Sequence, residues 1–266
     1  MKIKLSNKIV KIDIPKKITW MKDEALKKMI DENVFEDSEN LEKHRDVIMK
    51  YDKSENHYQK KVKVIGQWMS GGADSSMLAF LLCKKIKDEN LDVEFQPLSV
   101  RRGRPNNPMY AGGVIDFIEE YLNVKVRDHI VYYPDISDVH QREIKEFMDR
   151  DTDNFNNGIV DIMYSGITSN PPINDKTISQ NKERNRDETS DRPLVSATSF
   201  RYFMDPFYKI NKKHIKELYD MFNLTDSLYP ITFSCEGTAE DTKTHTKHCG
   251  KCWWCEERMW AFGRLI

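Results

Sequence analysis

Apolar residues recur among lysines over the first 14 positions, with Ile3, Leu5, Ile9, Ile12 and Ile14 arranged around Asn7. A period of two is the mark of a strand, so this stretch predicts a short hairpin or edge strand over 2–14. Residues 20–60 carry two helical patterns, near 21–31 and 38–50, so heavily charged that they read as solvated surface. A different regime begins at Val62. The run Val62–Met69 reads as a strand and Ser75–Ile86 as a helix with Met77, Leu78, Leu81, Leu82 and Ile86 on its apolar positions. Val93–Val100 is a second strand and Gly112–Leu122 a second helix. Val124–Tyr133 is a third strand, 138–149 a third helix and Ile159–Tyr164 a fourth strand. Strands that alternate with single helices predict an α/β fold, a Rossmann-like parallel sheet with helices on both faces. In such sheets ligands bind at the carboxyl ends of the strands.

The alternation stops at 170–192, where Asn174–Arg192 is almost wholly polar and reads as a mobile surface loop beside the ligand crevice. It resumes at Asp205-Pro206-Phe207, with a helix from about Lys212 to Phe222. Three regions follow from this pattern: an extension over 1–60, an α/β domain over 61–204, and a C-terminal segment over 205–266. Composition narrows the class. The 266 residues hold 42 basic and 43 acidic side chains, and mean hydropathy is −0.70. The near-neutral balance argues against broad nucleic-acid binding, leaving only a local Arg/Lys patch for that role. No stretch approaches the roughly 20 apolar residues of a membrane helix, and no signal-like apolar centre follows Met1, so a cytoplasmic protein without a membrane partner is expected.

Between the first strand and helix lies Ser70-Gly71-Gly72-Ala73-Asp74-Ser75-Ser76. Adjacent glycines let the backbone turn sharply and approach a ligand, and the helix that follows presents free N–H groups and the positive end of its dipole. Together these make an anion cradle, with the hydroxyls of Ser70, Ser75 and Ser76 as further donors. Asp74 does not suit a bare anion site, but it suits a magnesium ion that bridges phosphates. Neither GxxxxGK[ST] nor GxGxxG is present, so the loop differs from ordinary kinase and dinucleotide sites.

Four of the five cysteines crowd the C-terminus: Cys235, Cys249, Cys252 and Cys255. Four thiolates suit a closed tetrahedral zinc site of structural type. Cys-x2-Cys-x2-Cys with one remote cysteine also suits an iron–sulfur cubane. His245 and His248 are near enough to serve as substitute ligands, although four cysteines complete the set. Cys83 falls within the first helix pattern and reads as core.

The segment at 70–76 resembles the SGGxDS signature of the PP-loop ATP pyrophosphatase superfamily, which implies an adenine nucleotide alpha hydrolase-like fold and cleavage of ATP between its α and β phosphates. Three further blocks narrow the resemblance to the 7-cyano-7-deazaguanine synthase (QueC) family. These are Asp205–Ile215, with Lys212 opening a helix; Thr232-Phe233-Ser234-Cys235-Glu236-Gly237; and Cys249-Gly250-Lys251-Cys252-x-x-Cys255-x-x-Arg258. The resemblance covers about residues 62–266. It implies that Lys212, ahead of its neighbours Lys209 and Lys213, approaches the phosphates of ATP, that Asp74 holds Mg2+, and that Cys235, Cys249, Cys252 and Cys255 hold Zn2+. It implies a ligase that adenylates a small-molecule carboxylate, 7-carboxy-7-deazaguanine, and amidates it with ammonia on the way to a nitrile. The family often forms homodimers, and nothing in these residues speaks to that.

Two stretches depart from the family pattern. Ser99–Pro108 holds Arg101, Arg102 and Arg104, which suit a bidentate clamp on a carboxylate or phosphate or else a solvated basic loop. Tyr164–Pro172 matches only in Gly166, whose turn would let a nucleotide ring approach. The ATP and zinc machinery therefore looks retained beside an altered acceptor pocket. Two rivals stand beside the ligase: a sulfur-transfer enzyme that thiolates nucleic acid, favoured if the metal is iron, and a regulatory protein that binds nucleotide without turnover. Trp253 and Trp254 read as packing for the metal lobe.

Overall fold

The computed structural model describes residues 1–20, 50–52, 57–100, 107–133, 158–180, 186, 195–198 and 201–266. The helices expected at 21–31, 38–50 (Lys50 excepted) and 138–149, and the three arginines at 101, 102 and 104, lie outside the described residues.

The centre is a six-stranded sheet. Its parallel members are β6 (Val64–Trp68), β7 (Glu94–Val100), β8 (Ile130–Tyr132), β9 (Ile162–Tyr164) and β11 (Arg201–Met204). β10 (Val195–Thr198) pairs antiparallel with β11 at one edge. The spatial order is β10-β11-β9-β6-β7-β8. The chain thus builds outward from β6 through β7 to β8, then returns to the other side of β6 with β9 and β11. The direction of winding reverses between β6 and β9, which is where doubly wound sheets open a crevice for ligand.

Among the described residues four α-helices accompany the sheet: α1 (Ala73–Asp88), α2 (Asn107–Leu122), α3 (Lys212–Met221) and α4 (Trp253–Phe262). Residues of α1, α2 and α3, including Phe80, Val114, Ile118, Ile215 and Leu218, share one core with Ile65, Ile162, Tyr164 and Met204 of the sheet. The opposite face forms a second cluster around Val64, Leu98, Val160 and Met163. Burying each large apolar side chain in such cores contributes roughly 1.5–3 kcal/mol.

The N-terminal strands β1 (Lys2–Lys4) and β2 (Ile9–Lys11) form an antiparallel hairpin. β3 (Lys17–Trp20), β4 (Lys50–Asp52) and β5 (His57–Lys61) form a separate three-stranded sheet. The hairpin is not peripheral: Ile3, Leu5, Val10, Ile12 and Ile14 lie in the first core. Its turn clamps α3, because Ser6 donates twice to Glu217 and Asn7 Oδ1 meets His214 Nε2 at 2.7 Å. His214 Nδ1 accepts from the Asn211 amide while the Asn211 side chain accepts from the Lys213 amide, a capping box that fixes where α3 begins. Cys83 is core, and burial pushes its thiol up.

Several elements differ in extent from the hydropathy pattern. The third strand shrinks to Ile130–Tyr132, and α2 starts earlier, at Asn107. β10 and β11 went unread, because the polar run before them masks the short alternation of Val195–Met204. The loop after β9 is not free in its described part. Asp175 accepts from Trp260 Nε1 on α4, Ser179 donates twice to Glu256, and Trp253 Nε1 donates to the Ser179 carbonyl. The stretch 171–180 is therefore strapped to α4, and burial of Ile178 adds an apolar anchor.

Candidate functional site

The loop Ser70–Gly72 leaves the carboxyl end of β6 and opens α1 at the switch point. Gly71 adopts φ +72°, and a Cβ there would lie 2.6 Å from Tyr110 Cβ, so only glycine permits both the turn and the packing of α2. The N-cap is Gly72, which brings no side chain to cap the helix. The serines do not cap it either. Ser75 and Ser76 donate back to the Gly72 carbonyl, and Ser70 Oγ meets Ser75 Oγ at 3.1 Å while accepting from the Gly72 amide. The hydroxyls expected to face a ligand are thus spent on shaping the loop. The amides at the start of α1, which have no intrahelical acceptor, are what the loop offers an anion. Gln67 Nε2 to the Ser75 carbonyl and Tyr219 Oη to the Ala73 carbonyl brace this first turn from β6 and α3.

Asp74 and Lys212, 138 positions apart, meet here. Lys212 Nζ lies 2.5 Å from Asp74 Oδ2 and 3.4 Å from Glu257 Oε2. Lys212 is 3% exposed and Glu257 fully buried. Thr168 Oγ1, on the loop after β9, stands 3.4 Å from the same Asp74 oxygen. The other oxygen, Asp74 Oδ1, is buried with no hydrogen-bond partner. A bare carboxylate oxygen at the head of an uncapped helix is the kind of donor that suits a hard divalent cation. Of the lysines expected to compete, Lys213 instead reaches Asp175 and lies over the Trp260 ring, and Lys209 is exposed. Gly166 sits against the loop: a Cβ there would lie 3.0 Å from Ser75 N and Cα. Its close approach is to the α1 backbone, which brings the β9 and β6 loops together.

The four C-terminal cysteines converge as a second site. Their sulfurs all lie within 4.8 Å of one another, with Cys235–Cys252 at 3.9 Å and Cys249–Cys255 at 4.0 Å. Sulfurs about 2.3 Å from one tetrahedral ion are separated by about 3.8 Å, so this cluster fits a single ion. The thiolates of a cubane sit farther apart, around four irons. Backbone amides of Gly237 and Cys249 point at Cys235 Sγ, that of Glu236 at Cys252 Sγ, and that of Cys252 at Cys249 Sγ. The Cys255 thiol, donating to Cys252, pushes Cys252 down to about 4. Burial pushes Cys235 up, and the bond with Cys252 pushes Cys255 up. Neither histidine joins the thiol cluster. His248 tilts against Phe233 at 4.6 Å, and burial, then the charge of Arg258, push it down to about 4. His245 is buried beside Thr242.

The two sites share a helix. Cys252 is the N-cap of α4, Cys255 lies in its first turn, and Glu257 and Arg258 follow at once. Thr168, Ser234 and Glu257 were not singled out from sequence. Glu257 had a signal, as the neighbour of the quoted Arg258. Ser234 had one as well, as a member of the quoted Thr232–Gly237 block, whereas Thr168 became visible when the loop after β9 closed on α1. Trp253 and Trp254 pack edge to face within the lobe, with Trp253 tied to Ser179.

No family model matches this chain, and no curated protein matches it. Two solved structures are loosely similar. The U34-tRNA thiolase NcsA from Methanococcus maripaludis, which carries a [4Fe-4S] cluster, aligns over 85% of this chain and 76% of its own, at 15% identity and a TM-score of 0.40. NAD+ synthetase from Burkholderia pseudomallei aligns over 77% and 75%, at 11% identity and a TM-score of 0.34. Likenesses this loose assign no function. Among the described residues, no helix is long and apolar enough to cross a membrane.

Proposed function

We propose that this chain is a PP-loop ATP pyrophosphatase-type ligase that adenylates a small-molecule carboxylate and passes it to ammonia. The observation that carries the reading is the meeting of Asp74 and Lys212 at the head of an uncapped α1, at the switch point of a doubly wound sheet. The amides of the Ser70–Ser76 loop would hold the β and γ phosphates of ATP. Magnesium, when bound, neutralises phosphate charge. Asp74 is suited to hold it, because Oδ1 has no protein partner. Lys212 would then leave Asp74 for the departing pyrophosphate.

In the first step a carboxylate oxygen attacks the α phosphorus, and the bond to the bridging oxygen breaks to release pyrophosphate. In the second, ammonia attacks the acyl carbon, loses a proton and expels AMP, leaving an amide. A further activation of that amide, with loss of its oxygen, would give a nitrile. The protein's part is to position the reactants and stabilise charge on the leaving group. Among the described residues, the hydroxyl–imidazole pair Ser99–His129 is not set up as a nucleophile, because its serine proton is donated to the Met69 carbonyl.

The four cysteines are proposed to hold zinc in a structural role, supported by sulfur separations suited to one tetrahedral ion. The acceptor proposed is 7-carboxy-7-deazaguanine, on the resemblance of the blocks around Lys212, Cys235 and Cys249–Arg258. Incubating the protein with ATP, magnesium, ammonium and this acid, followed by mass spectrometry, tests the reading. Amide or nitrile that disappears with Asp74→Ala supports it. Pyrophosphate release without either product points to another acceptor, and absence of any ATP turnover points to a nucleotide-binding regulator.

A further inference from the structure

The C-terminal lobe contributes an arginine that has no acid partner among the described residues. Arg258 is fully buried, and its Nε donates to the Leu265 carbonyl. One terminal nitrogen donates to Thr232 Oγ1 at 3.0 Å and Ser234 Oγ at 3.2 Å. The guanidinium carbon lies 4.2 Å from the centre of the Tyr229 ring. The other terminal nitrogen is buried with no hydrogen-bond partner. Among the described residues no carboxylate comes within salt-bridge distance of Arg258, and its chain neighbour Glu257 is engaged by Lys212. A buried guanidinium with an idle donor and no contacting acid calls for an anion.

Where that anion would sit follows from Ser234. Its hydroxyl oxygen lies 3.0 Å from the position a Cβ on Gly72 would occupy, and the neighbouring Phe233 amide donates to the Gly71 carbonyl. The extended segment Thr232–Ser234 therefore lines the back of the Ser70–Ser76 loop, and Gly72 leaves the space into which the Ser234 hydroxyl projects. Because Ser234 Oγ accepts from Arg258, its own proton is free to point elsewhere. Thr232, the other hydroxyl on Arg258, has already given its proton to the Tyr229 carbonyl.

We propose that Ser234 is a further anion-binding residue of the Ser70–Ser76 loop, donating its O–H to a phosphate oxygen, and that Arg258 is its positioning residue. Arg258 orients and polarises that hydroxyl and supplies the positive charge that a pyrophosphate group balances. The inference rests on the loop being a phosphate site and adds to it a back wall delivered by the metal lobe. The ligand class is a polyphosphate, whether free pyrophosphate or the tail of a nucleoside triphosphate.

The test is calorimetric titration of magnesium pyrophosphate into the full metal-loaded chain, with adenosine as an uncharged control. Ser234→Ala is expected to weaken pyrophosphate about tenfold and to leave adenosine binding, melting temperature and bound metal unchanged. Arg258→Lys is expected to weaken pyrophosphate further and to flatten the dependence of its affinity on salt, a readout that a purely structural role would not move. If Ser234→Ala stays folded and binds pyrophosphate as the parent does, the inference is overturned while the loop keeps its role. If the parent chain binds no pyrophosphate, the inference and the reading of the loop fall together. Should Arg258→Lys fail to fold, Ser234→Ala alone decides.

Discussion

Lys212 Nζ contacts Asp74 Oδ2 at 2.5 Å, joining the first helix after the sheet's central strand to a helix 138 positions later in the chain. The same ammonium also faces Glu257, so one buried cation serves two carboxylates. Removing it would leave the fully buried Glu257 without a cation and break the ion pair of the partly enclosed Asp74. Lys212→Met is expected to lower stability by about 3–5 kcal/mol, the usual result of orphaning a buried ion, and to abolish pyrophosphate release. Adding Glu257→Gln should recover much of the stability and none of the turnover. Chemical denaturation and a pyrophosphate assay on both variants check this.

Asp74→Asn keeps the shape of the carboxylate and removes its charge. Lys212 retains Glu257 as partner, so folding should survive, while magnesium-dependent ATP turnover should fall by roughly a hundredfold or more. Kinetics at several magnesium concentrations measure the loss. A variant whose rate recovers fully at high magnesium would show that Asp74 only tunes the affinity for the ion.

Gly166→Ala tests the contact between the two crevice loops. The added methyl would lie 3.0 Å from the Ser75 backbone, and a backbone neighbour cannot swing away as a flexible side chain can. A cost of about 1–3 kcal/mol is expected from overpacking. ATP affinity should fall with it, because the first turn of α1 is displaced. Thermal melting with and without ATP separates the two effects.

Chelation should reach beyond the cysteines. Cys252 and Cys255 fix the start of α4, which also carries Glu257 and Arg258. Cys249→Ser, or stripping with a strong chelator, is expected to lower the melting temperature and also to weaken pyrophosphate binding at a site with no cysteine in it. Elemental analysis should find one zinc per chain. Four irons with sulfide would instead revive the thiolation reading.

The strap over 171–180 should respond to acid. Asp175 is held well below the usual carboxylate range by the hydroxyl and amide of Thr177, the indole of Trp260 and the ammonium of Lys213. A folded-state value below the unfolded one means a stabilisation present in full above about pH 4 and lost as pH falls toward the folded value. Trp260 emission should therefore shift on acidification below about pH 4, and Asp175→Asn should show the released signal already at neutral pH.

The strands β6 to β9 and the helices α1 and α2 between Val62 and Tyr164 were legible because the parallel strands carry short apolar runs and the helices a face at their own period. The turn at Ser70–Gly72 that opens α1 and the convergence of the four cysteines were legible because local spacing alone marks them. The docked hairpin at 1–14 shows the limit. Its alternation predicts strands, but nothing in Asn7 announces that it will meet His214. The same holds for Thr168, whose partner is 94 positions distant (168 − 74); Ser234 and Glu257 stand in or beside blocks the sequence marks, but their meetings with Gly72 and Lys212, 162 and 45 positions away (234 − 72 and 257 − 212), exist only in three dimensions. The strap at 171–180 misled for another reason: its polar residues looked solvated, whereas Asp175 and Ser179 spend their polarity on α4.

The division of this site along the chain also sets a schedule. At ribosomal speeds of roughly 5–20 residues per second, Asp74 emerges on the order of ten to forty seconds before Glu257 and Arg258. For most of that interval the nascent sheet carries the Ser70–Ser76 loop without the lysine that meets its aspartate, and for the last 45 residues (257 − 212) with that lysine but without the arginine behind it. Under the proposed function, a half-made chain would be poor at trapping nucleotide, and competence would arrive only once the helix that starts at Cys252 and carries Glu257 and Arg258 has folded.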